Sequence, residues 1–265
     1  MYRKISLIVT SVFIIVAVTG NVSADQDQPP NPKAKAVADR ALADLAAWKN
    51  QNARNYLLKQ KNEFGSTPQY QAAWALLEIQ DGASGKKEMA KRGVDSLSQL
   101  SKNAAVDAVA SYYLGEVLYE QNKRKEANAA WQTAAKQAET LTKKYPTDPT
   151  SHYYLGASLV RAKKYQQARD ELLTAVRAGF DPAMVNHQIG LSYLFAESWQ
   201  DAKESFDLGL AVEPRYAPMY FWRAMAWEKL DRKDEMLIDL DQYVKLAPDG
   251  PFAGKARAVL KSAGR

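Results

Sequence analysis

Two histidines, His152 and His187, and no cysteine are all that this 265-residue chain offers to transition-metal or thiol chemistry. Each histidine sits alone on its own predicted helix, outside any H-E-x-x-H pair. The run Met184-Val185-Asn186-His187 has no carboxylate spaced to converge on the ring, so both histidines are expected to be packing or surface residues rather than metal ligands. No G-x-S-x-G marks a nucleophile elbow, and no glycine-rich loop is present to cradle a phosphate. The basic clusters Lys123-Arg124-Lys125 and Lys163-Lys164 fall at predicted turns and read as solvated turns rather than as an anion site. Elsewhere acidic and basic residues alternate along predicted helices, which leaves no stripe of positive charge for nucleic acid. The chain is therefore expected to be no enzyme and to need no metal or cofactor.

The positive signal is a stripe of rings and aliphatics. At the fifth, ninth and twelfth places of successive predicted helices stand Tyr112, Glu116 and Tyr119; Tyr153, Ala157 and Val160; His187, Leu191 and Leu194; and Phe221, Met225 and Glu228. These are i, i+4 and i+7 relations, so each trio shares one helix face. Water-facing stripes are not usually aromatic. Two destinations stay open for the stripe. It forms the wall of a groove that grips a peptide or a partner's helix through Tyr112, Tyr119, Tyr153, Val160, His187, Leu191, Leu194, Phe221 and Met225. Alternatively it packs within the chain, on the next repeat or under the protein's own N-terminal segment.

The helices that position this stripe recur at a fixed interval. Between Asp148 and Pro248 three copies start at Pro149, Ala183 and Ala217, and a small residue stands at Gly156, Gly190 and Ala224, a step of 34 both times. Twelve residues later come Ala168, Ala202 and Met236, then Leu172, Phe206 and Leu240, and Pro214 and Pro248 close the later copies. A period of this length marks a stacked supersecondary unit. Each copy reads as two antiparallel helices, in which Gly190 and Ala202 remove bulk where the pair crosses and Phe206 fills the adjoining space. Asp148-Pro149 and Asp181-Pro182 supply N-caps with proline in the first turn, and Gly179 suits the C′ position before the second.

The pattern resembles the tetratricopeptide repeat, whose signature is W-x2-L-G-x2-Y, then A-x3-F, then P. Leu155-Gly156 with Ala168-x3-Leu172, and Ile189-Gly190-x2-Tyr193 with Ala202-x3-Phe206 and Pro214, carry the resemblance. The third copy keeps Tyr220, Trp227 and Pro248 but places Arg223, Ala224 and Met236 where leucine, glycine and alanine belong, which puts its crossing in question. The resemblance implies an all-α superhelix, a solenoid, whose first helices line a concave surface that binds proteins. The lysine and asparagine that resembling grooves use to clamp a C-terminal carboxylate are absent, since the fifth places hold Tyr112, Tyr153, His187 and Phe221.

The rest of the chain extends the array to about six helical pairs and a cap. Residues 33–147 read as degenerate repeats. A first pair uses Ala41, Ala53 and Leu57 and ends at Gly65. A second follows Ser66-Thr67-Pro68, with Trp74-x2-Leu77 and Ala90-x3-Val94 around a turn at Asp81-Gly82-Ala83-Ser84-Gly85. The third has Leu114-Gly115 and Ala127-x3-Trp131; its glycine lies 41 residues before Gly156, and the extra seven predict a lengthened second helix buried through Ala134, Ala138 and Leu141. Within residues 249–265, Pro251 to Lys261 is expected as a capping helix with Lys255, Arg257 and Lys261 outward.

At the other end, Arg3 and Lys4, an apolar run from Ile5 to Val18, and Val22-Ser23-Ala24 read as a signal peptide over residues 1–24, cleaved before Asp25. The run is short for a retained membrane anchor, and no cysteine follows it for lipid attachment. A polar, proline-rich leader covers residues 25–32. Loss of Arg3 and Lys4 lowers the net charge from +6 to +4. The expected protein is an exported adaptor in a bacterial periplasm; the competing reading is a structural subunit of a cell-envelope assembly.

Overall fold

The computed structural model describes residues 31–83, 85–102 and 108–264. The expected signal peptide and residues 25–30 of the leader lie outside them. Among the described residues there are thirteen helices and no strand. Six antiparallel pairs follow in order: α1 (Pro32–Ala46) with α2 (Asn50–Phe64), α3 (Pro68–Gly82) with α4 (Lys87–Ser101), α5 (Val109–Glu120) with α6 (Arg124–Lys144), α7 (Pro149–Arg161) with α8 (Tyr165–Arg177), α9 (Pro182–Phe195) with α10 (Trp199–Val212), and α11 (Ala217–Lys229) with α12 (Lys233–Leu246). The last helix, α13 (Ala253–Ser262), has no partner. This is the α–α superhelix of six pairs and a cap that the spacing predicts.

Close crossings explain why the pairs form where they do. A Cβ placed on Gly156 would lie 2.7 Å from Leu172 Cγ and 3.0 Å from the Ala168 carbonyl; one on Gly190 would lie 2.6 Å from Phe206 Cδ1. Ala168, Leu172, Ala202 and Phe206 are fully buried at these crossings. In the second pair two glycines make the tight approaches: Gly82 of α3, whose Cβ would lie 2.6 Å from that of Ala90, the small residue the signature names, and Gly93 of α4, whose Cβ would press on the Ala75 carbonyl and lie 2.7 Å from Ile79. Helix α6 has the expected extra length at 21 residues, with Ala134 and Ala138 fully buried.

The ends are capped by two devices. Asp148 Oδ2 accepts the Ser151 N–H at 3.0 Å and Asp181 Oδ1 accepts the Met184 N–H at 2.8 Å, each ahead of a proline at the first turn. Inside five of the six pairs the first helix ends in a left-handed residue: Trp48, Asn122, Lys163, Glu197 or Asp231. The next amide then reaches back to the carbonyl five residues before it, as Lys164 does to Leu159 at 3.0 Å and Ser198 to Tyr193 at 2.9 Å.

Some boundaries differ from expectation. Helix α1 starts at Pro32, capped by the Asn31 side chain, so the leader's last two residues already belong to the helix start. Helix α3 runs on through Asp81 and Gly82, which shortens the expected turn. The cap helix begins at Ala253, because Pro251 and Phe252 make the turn into it, and Lys255, Arg257 and Lys261 are exposed as predicted. The questioned third copy does pack: Ala224 and Leu240 are fully buried. Arg223, in the leucine place, forms a bidentate pair with the Asp239 carboxylate at 2.8 and 2.7 Å and reaches Asp207 of the preceding repeat at 2.6 Å.

Candidate functional site on the concave face

The inner wall of the stack is not open along its length. Helix α1 and the turn after it reach distant repeats: Lys35 Nζ is 2.6 Å from Asp148 Oδ2 and the Thr150 hydroxyl donates to Asp39 Oδ2 at 2.6 Å, both at the start of α7, while Lys49, just past α1, pairs with Glu213 at the end of α10. The buried residues of α1 include Ala34, Val37, Ala38, Ala41, Leu42 and Leu45, all in the main core. Lys35 and Asp148 are themselves almost wholly buried, at 5% and 4% exposure, which makes this a desolvated tether rather than a surface pair.

The stripe residues are correspondingly covered. Tyr112, Tyr153, Val160, Leu191, Leu194 and Phe221 are buried, His187 and Met225 are partly so, and Tyr119 is exposed at 44%. The structure therefore takes the intramolecular alternative for most of the wall, which corrects the picture of an open ladder of rings. The physical reason lies in the inter-repeat loops. Phe180 stacks on Tyr153 with centroids 4.2 Å apart, Phe252 on Phe221 at 4.2 Å, and Tyr216 tilts over His187 at 5.2 Å. Each of these rings stands at the entry to the following helix and closes over the fifth-place ring behind it. Tyr119 instead packs on Trp131 at 5.5 Å, with the Arg124 guanidinium 3.9 Å from its ring centre. Met225 has Lys255 Nζ 3.9 Å from its sulfur.

What remains open is a recess of about 220 Å³ where the end of α1 meets the inner faces of α5, α7, α9 and α11 and the turn into α13. Leu45, Trp48, Tyr112, Tyr113, Tyr153, His187, Leu191, Tyr216, Trp222 and Phe252 supply its apolar and aromatic lining. Its polar side chains include Gln80, Glu116, Glu120, Arg161, Gln188 and Asp249. Of the nine stripe residues named from sequence, the recess gathers Tyr112, Tyr153, His187 and Leu191. Tyr119, Val160, Leu194, Phe221 and Met225 are not part of its lining.

Arg161 and Glu116 form a bidentate pair across adjacent repeats, with Nε at 2.8 Å from Oε1. Burial works against the guanidinium charge, and the Glu116 carboxylate and the Tyr112 hydroxyl together more than offset it, so the Arg161 pKa stands above its ordinary value. Burial, and then the charge of Arg161, drive His187 down to about 3, so its ring is neutral. Its Nδ1 is 3.4 Å from the Tyr216 hydroxyl and its Nε2 has no hydrogen-bond partner. Gln188 donates to the Tyr112 hydroxyl at 3.0 Å, and its Oε1 accepts no hydrogen bond. Glu120 reaches solvent at the mouth, yet the recess walls, and then Glu116, raise its carboxyl to about 7.

The other histidine is satisfied: His152 Nδ1 is 2.6 Å from Glu171 and Nε2 is 2.8 Å from the Pro146 carbonyl. Among the described residues, no three His, Cys, Asp or Glu side chains are grouped to hold a metal ion. No described helix is long and apolar enough to cross a membrane.

The model of the tetratricopeptide repeat matches residues 127–182 and 187–251. No curated protein matches the chain. Among solved structures, the chain is similar to MamA of strain MSR-1, with 19% identity over 67% of this chain and 97% of that one and a TM-score of 0.39. It is also similar to MamA, residue 41 to the end, from Desulfovibrio magneticus RS-1, with 17% identity, coverage of 67% and 96%, and a TM-score of 0.41. Residues 127–182 and 187–251 are thus the part of the chain that carries tetratricopeptide repeats.

Proposed function

We propose that this protein is a non-enzymatic adaptor, exported from the cytoplasm, that holds a peptide or protein partner against its concave face. The supporting observation is the recess, because it is the place on the inner wall where α1 and the loop aromatics leave polar groups unsatisfied. A buried histidine nitrogen and amide oxygen without partners cost free energy that a bound group can recover. The repeat family's role in protein interaction favours a macromolecular partner over a diffusible substrate. Export rests on the sequence of residues 1–24 alone.

Two measurements test this reading. The immobilised protein, challenged with an envelope fraction, is expected to retain specific partners that Ala83→Trp releases, because Ala83 is an exposed residue on the recess lining and the added ring fills the mouth; equal retention by both removes the recess from the account. The mass of the protein recovered from a bacterial periplasmic extract is expected to correspond to a chain starting at Asp25. A full-length mass in the cytoplasmic fraction contradicts export.

A further inference from the structure

The charges around the recess do not balance. Glu116, Glu120 and Asp249 bring three carboxyl groups, the one on Glu120 raised to about 7, and Arg161 a single guanidinium that Glu116 already engages. Glu120 has no ion-pair partner, although it faces Tyr243 of α12 closely enough for its charge to affect that hydroxyl. The other titratable residues lining the recess add no positive charge, since the His187 ring is neutral and burial holds the Tyr112, Tyr153 and Tyr216 hydroxyls in their neutral form; Arg54 and Lys86 stand outside it, on the adjoining cavity that Asp249 also lines.

The walls around this uncompensated acid are rings. Trp222 and Tyr243 both pack on Phe252, at 5.2 and 6.2 Å, and Trp48 enters from the end of α1. Aromatic faces attract cations and leave anions without partners. Deeper in, Gln188 Oε1 is an acceptor without a donor, on a residue only 4% exposed. His187 Nε2 becomes a second acceptor when Nδ1–H donates to the Tyr216 hydroxyl. A volume near 220 Å³ is below the roughly 300–1,000 Å³ of sites that enclose a drug-sized molecule. It suits one long side chain.

We propose that the recess receives the ammonium or guanidinium of a lysine or arginine side chain presented by a bound peptide. Glu120 and Asp249 draw the charge to the mouth, Trp48 and Trp222 cover the alkyl stem, and Gln188 Oε1 accepts an N–H at the inner end. This deepens the adaptor reading given above and rests on it.

The test uses nonapeptide mixtures fixed at the central position as lysine, arginine, norleucine or citrulline. They are titrated at about pH 8, where Glu120 is mostly ionised and lysine still charged, against the whole protein with its tryptophan fluorescence as the signal, since Trp48 and Trp222 line the recess. The lysine and arginine mixtures are expected to saturate at concentrations about tenfold below norleucine and citrulline, the range expected when a charge-assisted contact replaces a neutral one. Glu120→Gln is expected to erase that preference while keeping the wild-type melting curve, and Trp222→Leu to weaken all four mixtures. Equal binding of lysine and norleucine, or a preference that survives Glu120→Gln, overturns the inference but leaves the adaptor reading standing. Competition by butylamine as strong as by the lysine mixture overturns the commitment to a peptide side chain. No saturable signal with any mixture overturns the inference; the adaptor reading fails separately, when the wild-type protein retains nothing from an envelope fraction.

Discussion

Glu116→Leu is the perturbation whose cost can be worked most directly. The bidentate pair links α5 to α7, and Arg161 is enclosed by the Trp131 and Phe195 rings, with its guanidinium carbon 5.2 and 5.9 Å from their centres. Removing the carboxylate leaves a desolvated guanidinium without its counter-charge, an event that costs about 3–5 kcal/mol at a buried site. The Glu116 side chain keeps 27% exposure and Arg161 13%, so water still screens part of the interaction and the low end, about 3 kcal/mol, applies. For a chain of this size that corresponds to a fall in melting temperature of about 6–12 °C. The double replacement Glu116→Leu with Arg161→Met removes both charges and keeps similar volume, and is expected to recover to within about 1 kcal/mol of wild type. Urea titration followed by circular dichroism reads both, with a shifted midpoint at an unchanged slope. A single replacement within about 0.5 kcal/mol of wild type, or a double one as damaging as the single, refutes the claim that this pair is a desolvated joint between repeats.

Gly190→Leu is expected to lower stability by about 2 kcal/mol or more, because the added side chain has to displace the Phe206 ring; an unchanged melting curve contradicts the crossing. Tyr153→Ala and Phe221→Ala are each expected to cost about 3–5 kcal/mol of folding stability, since both rings are 2% exposed; stable variants that merely lose partner capture refute their burial. The His187 ring has a folded pKa near 3 against about 6.5 when unfolded. Between those values the unfolded chain binds the extra proton, so His187 makes stability fall as pH drops from about 6.5 towards 3, with a slope of at most about 1.4 kcal/mol per pH unit. Melting curves of wild type and His187→Gln taken across that window are expected to converge on acidification, and parallel curves refute the depressed value.

How much of this was legible depends on the distance between the residues involved. Gly156, Gly190, Ala168 and Ala202 announce the crossings because a helix pair is a local object, and Asp148-Pro149 and Asp181-Pro182 announce its start. The left-handed residues were silent. Lys163, Glu197 and Asp231 follow the step of 34, but lysine, glutamate and aspartate do not advertise a positive φ as glycine does. Arg223 reads as a departure from the signature, and only its placement between Asp239 and Asp207 shows that an ion-pair clamp replaces an apolar contact. The stripe was visible and its cover was not. Phe180, Tyr216 and Phe252 lie in loops, where periodicity carries no information. Lys35 meets Asp148 across 113 residues of sequence, a relation no pattern of neighbours encodes. The acids of the recess were hidden for the same reason. In the sequence Glu116 is one member of a stripe, and Glu120 and Asp249 become its companions only when the superhelix closes.

The placement of α1 inside the concave wall is the claim on which the recess, its lining and its ligand all depend. The chain has no cysteine, so Asp39→Cys with Thr150→Cys creates a single thiol pair at positions whose native side chains touch at 2.6 Å. Treatment of the folded double variant with a short bifunctional thiol reagent is expected to consume both thiols in one intramolecular bridge. A control pair that moves the first thiol to the exposed Arg40 position is expected to bridge far more slowly. Independent labelling of the two thiols at 39 and 150, at the rate of the control, would show that the first helix does not occupy the inner wall.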